Sequence, residues 1–279
     1  MSDIYRMTKN QDQTPQQTEQ KYKAPALEKG LEILELLAST QEPMTQTEIA
    51  KALGRSKNEI FRMLATLVQR GYVSRSRSGE GYSLSLKLFA TAQRYSPIVR
   101  LLDVAAPLIR SATKKVWQSC QIGMESGGSI VIAYSVEAPG NWGLALRTGS
   151  VVGLWNTGTG RVLAAFRSEE ECEELLELHQ PALGEPALEK AKFLAELEDI
   201  RNAGFYRGKS ETLVGVTNLS FPIFNPSGEV VAALSCPFLE RVDSLKTSSI
   251  EETQHVFAEV AEQLTNYFHG TAIPEDPEK

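Results

Sequence analysis

The chain has 279 residues, of which 42% are hydrophobic and 23% charged, and its formal net charge is -6. This composition is typical of a soluble globular protein with two domains, and it excludes a disordered, collagen-like or disulfide-rich protein. No apolar run reaches the roughly 18 residues of a membrane-spanning helix, and the first residues lack an apolar signal core, so we expect a cytoplasmic protein without a membrane partner.

The charge of the chain is distributed unevenly. Residues 1–95 carry 14 Lys or Arg against 10 Asp or Glu, whereas residues 96–279 carry 15 against 25. Phosphate contacts require basic side chains in one region, so the first region fits a nucleic-acid partner. The acidic remainder indicates a part of the chain that does not contact nucleic acid.

The N-terminal segment, residues 1–23, is polar and rich in glutamine, which predicts a disordered tail. A basic arm that reaches DNA through Lys21 and Lys23 is the alternative. The following run, ALEKGLEILELLAS, predicts a first helix whose buried face consists of Leu27, Leu31 and Leu34.

The next stretch, TQTEIAKALGRSKNEIFRMLATLVQRG, predicts two helices around a tight turn. The first covers Thr45–Ala52, the turn lies at Gly54, and the second covers about Ser56–Gln69 and ends before Gly71. Apolar residues at helical spacing give each helix one buried stripe. These are Ile49, Leu53, Ile60, Leu64, Leu67 and Val68.

Polar side chains cover the other face of the second helix, where Lys57, Asn58, Arg62 and Gln69 lie away from the apolar stripe. Such side chains hydrogen-bond to base edges and phosphates in a major groove that is wide enough to admit a helix. The pattern predicts a helix-turn-helix with this second helix as the recognition helix. An ordinary helical hairpin with a solvated basic face is the alternative.

Two short strand-like runs follow, Tyr72–Ser76 and Tyr82–Ser85, separated by a glycine-containing segment. A hairpin here forms the wing of a winged helix-turn-helix domain over residues 24–85. Arg75 and Arg77 then project from the wing towards backbone phosphate.

Residues 86–117 predict linker helices. After a short helix that leads away from the first domain, an apolar stripe runs from Ile98 to Trp117. Pro107 either kinks this helix or starts a second one. This segment has two compatible interpretations, and both are kept. It can be a core helix of the C-terminal domain, and it can be a linker with a dimer contact.

Residues 118–272 predict an α+β domain with a mainly antiparallel sheet, followed by a tail over 273–279. Its predicted strands are CQIGME, SIVIAYSVE, LALRTG, NLSFPIFN and EVVAALSCPF. Its predicted helices are GRVLAAF, EECEELLELH, ALEKAKFLAELEDIRNAG and a last helix near Leu245 to Phe268.

Five segments, in this order and spacing, resemble the IclR family of bacterial transcriptional regulators. They are ALEKGLEILELLAS, TEIAKALGRSKNEIFRMLATLVQRGYV, GYSLSLKLFA, TGTGRVLAAF and GVTNLSFPIFNPSGEVVAALS. The resemblance covers about residues 25 to 270. It implies a winged helix-turn-helix, a linker helix and a GAF-like (profilin-like) effector domain, assembled as dimers or tetramers on palindromic double-stranded operator DNA.

The predicted DNA contacts combine the polar face of the recognition helix with its flanks. They are Thr45, Gln46, Ser56, Lys57, Asn58, Glu59, Arg62, Arg75 and Arg77. The Asn58-Glu59 pair replaces a Ser-Thr pair that is common in the family. Asn favours adenine and Glu accepts from cytosine N4, so we expect an operator sequence that differs from the family norm.

Members of the family bind a small, often anionic or aromatic metabolite in the effector domain. In WNTGTGRVLAAF, Asn156 or Thr157 can cap a helix that begins near Gly158, and the free N–H groups there suit a carboxylate. A plain turn and cap is the alternative. With walls taken from the family analogy, the predicted effector residues are Leu154, Trp155, Thr157, Gly158, Thr159, Gly160, Lys209, Asn218, Ser235 and Pro237.

Lys209 belongs to a departure from the family pattern, because many relatives have an acidic cluster just before the Gly-Val pair. A basic side chain there suits an acid, and a solvated loop lysine is the alternative.

Enzyme signatures are missing from the sequence. His179, His255 and His269 are far apart, and no metal-ligand spacing, phosphate-binding loop or nucleophile elbow occurs. We therefore expect no catalysis, no metal and no cofactor. The predicted function is a transcriptional repressor controlled by an organic, aromatic or sugar acid of carbon catabolism. An activator of the same class and a metabolite-binding enzyme with an accessory basic domain are the alternatives.

Overall fold

The computed structural model describes residues 24–76, 79–94, 96–243, 245 and 247–268. The chain divides into two compact units, with the division after residue 95. The predicted tails over 1–23 and 273–279 lie outside the described residues. Within the described part of the chain, every helix is too short or too polar to cross a bilayer.

The described residues of the first unit form four helices and a small antiparallel sheet. The helices are α1 (Pro25–Ala38), α2 (Gln46–Ala52), α3 (Lys57–Gln69) and α4 (Lys87–Ala92). The strands are β1 (Met44–Thr45), β2 (Val73–Arg75) and β3 (Gly81–Leu84), in the order β1-β3-β2. The wing hairpin is therefore confirmed, and β1 adds a third strand that is too short to show alternation in the sequence.

Capping fixes the ends of α2 and α3. Thr45 and Ser56 are the N-caps, and each forms a capping box with the glutamate three residues later, Glu48 or Glu59. In this motif the cap hydroxyl accepts from a backbone N–H while the glutamate accepts from the backbone N–H of the cap residue. Gly54 lies between the two helices with a φ of 61°, which glycine adopts without strain. The predicted helix–turn–helix is confirmed.

The predicted buried stripe of α1 is wrong for Leu27 and Leu31, whereas Leu34 packs against the core of the unit as predicted. Leu27 and Leu31 are 63% and 48% exposed, whereas Ile33 and Leu37 pack in the core of the unit. The run LEILELL is apolar on most of its circumference, so helical spacing alone does not select a face. Contacts with α3 and β3 select it.

The second unit contains a six-stranded antiparallel sheet and five helices among the described residues. The strands are β4 (Cys120–Ser126), β5 (Ser129–Val136), β6 (Val151–Val152), β7 (Tyr206–Lys209), β8 (Val216–Phe224) and β9 (Val230–Leu239), in the order β6-β5-β4-β9-β8-β7. The helices are α5 (Ser96–Val116), α6 (Gly158–Ala165), α7 (Glu169–Leu178), α8 (Lys190–Ala203) and α9 (Ile250–Phe268). The predicted antiparallel α+β fold is confirmed.

The sheet lies between two helical layers. On one face, Ile109 of α5 and Phe257 of α9 pack with Leu234 of the sheet, so α5 is a core helix of this unit. On the other face, α6, α7 and α8 form a second core with Ile132 and Ala233.

Pro107 does not interrupt α5, which is one helix from Ser96 to Val116. Proline removes the hydrogen bond to the carbonyl of Asp103, four residues earlier. Both residues lie on the exposed side of the helix, where water can bind the freed carbonyl oxygen. The three cysteines, Cys120, Cys172 and Cys236, are free and buried.

The strand predicted at LALRTG is wrong, because pairing with β5 begins only after the turn at Gly149. There Gly149 N donates to Ile132 O at 2.7 Å, and Ile132 N donates to Ser150 O at 2.9 Å. The paired strand is β6, Val151–Val152. The edge strand β7 was not predicted, because YRGK has neither apolar alternation nor β-branched residues.

Candidate functional site

The outer face of α3 carries exposed polar side chains. Lys57, Asn58, Arg62 and Gln69 are all exposed, whereas Ile60 and Leu64 on the opposite side are fully buried. This helix therefore presents a basic and amide-bearing surface on a rigid support. That combination can contact phosphates and base edges.

Several of the predicted DNA-contact residues form hydrogen bonds with other residues of the first unit. Oε2 of Glu59 accepts from Ser56 N at 3.1 Å and Ser56 Oγ at 2.8 Å, and Oε1 lies 2.6 Å from Lys29 Nζ. These bonds, with Lys29 first, lower the pKa of the Glu59 carboxyl to about 2. The structure thus gives Glu59 a role in capping α3 and in joining it to α1.

Thr45 and Gln46 hold α2 in place. The Thr45 hydroxyl donates to Glu48 Oε2 at 2.8 Å, and Gln46 Nε2 donates to the backbone oxygen of Lys57 at 2.8 Å. The second bond ties the first turn of α2 to the first turn of α3. These two side chains therefore fix the angle between α2 and α3.

In the wing, Arg75 is exposed on β2. Its Nη2 donates to Tyr82 Oη at 2.8 Å, and its guanidinium lies 5.2 Å from the centre of the Tyr82 ring. This contact orients the side chain and leaves other guanidinium N–H groups available for a phosphate. Arg77 lies outside the described residues.

A second polar site lies at the start of α6. Thr157 is the N-cap, because its hydroxyl accepts from Gly160 N at 3.1 Å and donates to Gly153 O at 2.6 Å. The Gly160 N–H is therefore not free, contrary to expectation. The N–H groups of Gly158 and Thr159 have no acceptor among the described residues. These two donors point out of the positive end of a buried helix.

Close packing explains the glycines of α6. A Cβ on Gly158 would lie 2.5 Å from Ser220 Oγ, and a Cβ on Gly160 would lie 2.2 Å from Leu154 O. Gly123 of β4 similarly leaves room for the methyl group of Thr159, which a Cβ would approach to 2.2 Å. The helix can therefore lie directly on the sheet, with Leu154 fully buried beneath it.

A chain of buried hydroxyl groups joins α6 to the sheet. Thr159 Oγ1 lies 2.9 Å from Ser235 Oγ, which donates to Ser220 Oγ at 2.8 Å. Asn218 and Pro237 are paired one step further along the same two strands and lie on the same face. The structure therefore brings together four of the predicted residues at one place.

Gln121 of β4 extends this polar row and was not predicted. It is 5% exposed and pairs with Ser235 across the β4–β9 ladder, so both side chains lie on the α6 face. Its Oε1 has no hydrogen-bond partner among the described residues. A buried orphan acceptor costs about 1–3 kcal/mol, so its presence requires an explanation. A glutamine within the apolar strand CQIGME was the available signal.

Arg161 of α6 is a buried charged residue that the sequence analysis did not predict as part of the site. It contacts Glu196 Oε2 at 3.1 Å through Nε, and its Nη2 lies 2.6 Å from Glu211 Oε1. Its Nη1 donates to Tyr206 Oη at 3.1 Å, and burial raises the pKa of that phenol. The cluster ties α6 to α8, β7 and the following loop.

Lys209 does not belong to the site. Tyr206 and Gly208 of β7 pair with Ser220 and Asn218, so their side of the strand faces α6. Alternation places Lys209 on the other face. There its neighbour Arg207 lies 3.0 Å from Glu251 of α9. Lys209 is therefore exposed on the face of the sheet opposite α6.

Trp155 forms part of the loop that enters α6. Its backbone N–H donates to Glu185 Oε1 at 3.0 Å and its indole N–H to Pro186 O at 2.8 Å. Its ring contacts His179 edge to face, with centroids 4.8 Å apart. These contacts fix the path of the backbone immediately before Thr157.

Two family models match this architecture. The model described as the IclR helix-turn-helix domain matches residues 26–77, and the model described as bacterial transcriptional regulator IclR C-terminal matches residues 93–265. The chain belongs to the IclR family. As an IclR-family protein it is a DNA-binding transcriptional regulator, and not an enzyme.

Curated relatives and solved structures agree with this membership. The regulator KdgR of Escherichia coli is 28% identical over 208 residues, covering 74% of this chain and 79% of KdgR. The repressor YiaJ of Escherichia coli is 23% identical, covering 88% and 86%. An IclR homologue from Microbacterium hydrocarbonoxydans, crystallised with 4-hydroxybenzoate, has the same fold, with a TM-score of 0.71 and 21% identity over 88% of this chain and 100% of that chain.

Proposed function

We propose that this IclR-family protein binds operator DNA through the exposed face of α3, and that a small organic acid bound at the start of α6 controls that binding. The observation that carries the proposal is the buried polar site. Two N–H groups of a helix N-terminus lie beside a row of buried hydroxyls, and neither these groups nor the adjacent Gln121 Oε1 has a partner among the described residues.

The donors and acceptors of the site favour a hydroxy acid. The N–H groups of Gly158 and Thr159 suit one end of the effector, a carboxylate, because they are donors at a helix N-terminus. The Oε1 of Gln121 accepts only, so it suits a hydroxyl or amide N–H of the same molecule. The Microbacterium homologue was crystallised with 4-hydroxybenzoate, which contains a carboxylate and a hydroxyl. Asn218, Ser235 and Pro237 form the sheet side of the proposed pocket.

On the DNA side, the proposed base and phosphate contacts are Lys57, Asn58, Arg62 and Arg75, with Arg77 retained from the sequence. Thr45, Gln46, Ser56 and Glu59 position the two helices. A dimer or tetramer that places two such units on a palindrome is proposed, because a symmetric operator mirrors a two-fold protein. We propose repression in the cytoplasm, because an operator-bound dimer blocks a promoter and YiaJ is a repressor.

The end of α5 contacts the loop that follows β5. Trp117 follows α5 with a φ of 59°, and its ring lies against Gly140. Ser119 Oγ accepts from Ala138 N at 2.9 Å in the same loop. We propose that effector binding moves this loop and α5 together and changes the spacing of the DNA-binding units. The energy must come from a difference in effector affinity between the two arrangements.

The test is an electrophoretic mobility shift with the DNA upstream of the protein's own gene, titrated in salt. A panel of hydroxybenzoates, sugar acids and short hydroxy acids is then added, with the matching amides as uncharged controls. The proposal predicts sequence-specific binding that one acid, but not its amide, weakens or strengthens. Specific binding that no acid alters would refute the effector assignment, and the lack of specific binding at every salt concentration would refute the DNA assignment.

A further inference from the structure

A cavity of about 560 Å³ lies in the second unit near the C-terminal end of α6, away from the proposed effector site. Helices α5 and α9, strands β4 and β9, and the end of α6 all contribute to its wall. The volume is within the range of about 300–1,000 Å³ that is common for small-molecule sites. No residue of the proposed effector site lines it.

The cavity forms where the central ladder of the sheet stops. Strands β4 and β9 share three residue pairs, of which the last is Gly123 with Ala233. Yet β4 continues to Ser126, and β9 begins at Val230. The sheet is therefore open between the last residues of β4 and the first residues of β9.

Two β-bulges accompany this opening. The β4–β5 register shifts between Ile122 and Gly123, and the β8–β9 register shifts between Ile223 and Phe224. Bulges bend a strand and increase its local twist, and both register shifts lie beside the point where the pairing of β4 with β9 ends. The opening is thus built into the registers of four strands.

The wall of the cavity is apolar and its charge is positive. Leu101, Met124 and Val231 provide apolar surface. Arg167 is neutralised by Glu125, with Nη2 and Oε2 2.7 Å apart. Arg100 is exposed on α5 and forms no ion pair with any described residue. One guanidinium therefore remains available beside the apolar wall.

We propose that this opening in the sheet is a second ligand site, for an amphipathic carboxylate with a hydrocarbon body. The hydrocarbon lies between the separated strands against Met124 and Val231, where burial of apolar surface favours binding. The carboxylate forms a bidentate pair with Arg100. Such a ligand differs from the small polar acid proposed for the start of α6.

The test is isothermal titration of the full chain with octanoate, with octylammonium as the cationic control of equal length. Octanoate should bind with one site per chain, and octylammonium should bind at least about tenfold more weakly. Arg100→Gln should weaken octanoate binding about tenfold or more, and Val231→Trp should abolish it by filling the opening. Arg110→Gln, on the same helix but outside the cavity, is the matched control and should bind normally.

Octanoate binding should also persist in Ser235→Leu, which separates this site from the proposed effector site. If Val231→Trp does not fold, as judged by circular dichroism, Arg100→Gln decides alone, because that side chain is exposed. No saturable octanoate binding, equal binding of octylammonium, unchanged binding in Arg100→Gln, or loss in Ser235→Leu would each overturn the proposal.

Discussion

Glu185 and His179 form a buried pair in which Oε2 of the carboxylate lies 2.8 Å from Nε2 of the imidazole, and neither side chain is exposed. The other ring nitrogen lies 2.6 Å from Gly128 O. A carbonyl oxygen only accepts, so Nδ1 carries a proton. Glu185 also accepts from the backbone N–H groups of Trp155 and Ala182. One carboxylate thus holds the loop that leads into α6.

Glu185→Ala should therefore destabilise the second unit strongly. The change leaves His179 Nε2 without its partner and two backbone N–H groups without their acceptor, and breaking a buried pair costs about 3–5 kcal/mol. Urea unfolding followed by tryptophan fluorescence measures the loss. Glu189→Ala, an exposed change nearby, is the control and should cost little. A loss below about 1 kcal/mol in Glu185→Ala would contradict the assigned role.

Gln121→Leu should separate stability from function. Gln121 Oε1 is buried and has no partner in the described part of the chain, so replacing the Gln121 side chain with an apolar one of similar size should leave stability unchanged or raise it by about 1–2 kcal/mol. Binding of the hydroxy acid should weaken about tenfold or more, because the acceptor is lost. Urea unfolding and effector titration of the same preparation test both parts. A destabilised variant that binds the acid normally would show that Gln121 is structural.

The Glu59 carboxylate should make the first unit sensitive to acid. Its pKa is about 2 in the folded chain, against an ordinary value of 4.5, with Lys29 as the main cause. A carboxyl group whose pKa is lower in the folded than in the unfolded chain stabilises the fold fully at pH values above its unfolded pKa. This stabilisation is lost as the pH falls through the folded pKa. Thermal unfolding of the native chain and Glu59→Gln should differ at pH 7 and converge as the pH falls from about 4.5 to 2. A difference that is constant over this range would contradict the prediction.

Two substitutions on α3 should affect DNA binding differently. Arg62→Ala should weaken binding to the operator more than to unrelated DNA, because Arg62 is proposed to contact base edges. Lys57→Ala should weaken both and reduce the salt slope by about 1, because one phosphate contact is lost. Fluorescence anisotropy over a salt series measures both effects, with Arg110→Ala as control. Native affinity in both variants would mean that another face binds DNA.

Sequence pattern and structure agree best where local chemistry is decisive. The predicted starts of α2 and α3 lie within one residue of the observed ones, because the capping boxes of Thr45 with Glu48 and of Ser56 with Glu59 involve only residues that are close in the sequence. Periodicity failed where apolar residues surround the helix, as in α1. There the buried side is selected by contacts with distant segments.

The candidate site was predictable only in part. The cap and the small residues of TGTGR located the start of α6, and the family resemblance supplied Ser235 and Pro237. The side of the sheet that Lys209 faces depends on the register of β7 with β8, which the sequence does not contain. Likewise, the row that joins Gln121 to Ser235 forms only when β4 pairs with β9, more than 100 residues later.

The most direct test of the account is the operator affinity of the native protein and of Ser235→Leu, each measured by fluorescence anisotropy with and without the active acid. The acid should change the affinity of the native protein by about 5–150-fold, the usual range of coupling between two sites. Ser235→Leu should bind operator as the native protein does and should not respond to the acid. An equal response in both proteins would show that the acid acts somewhere other than the start of α6.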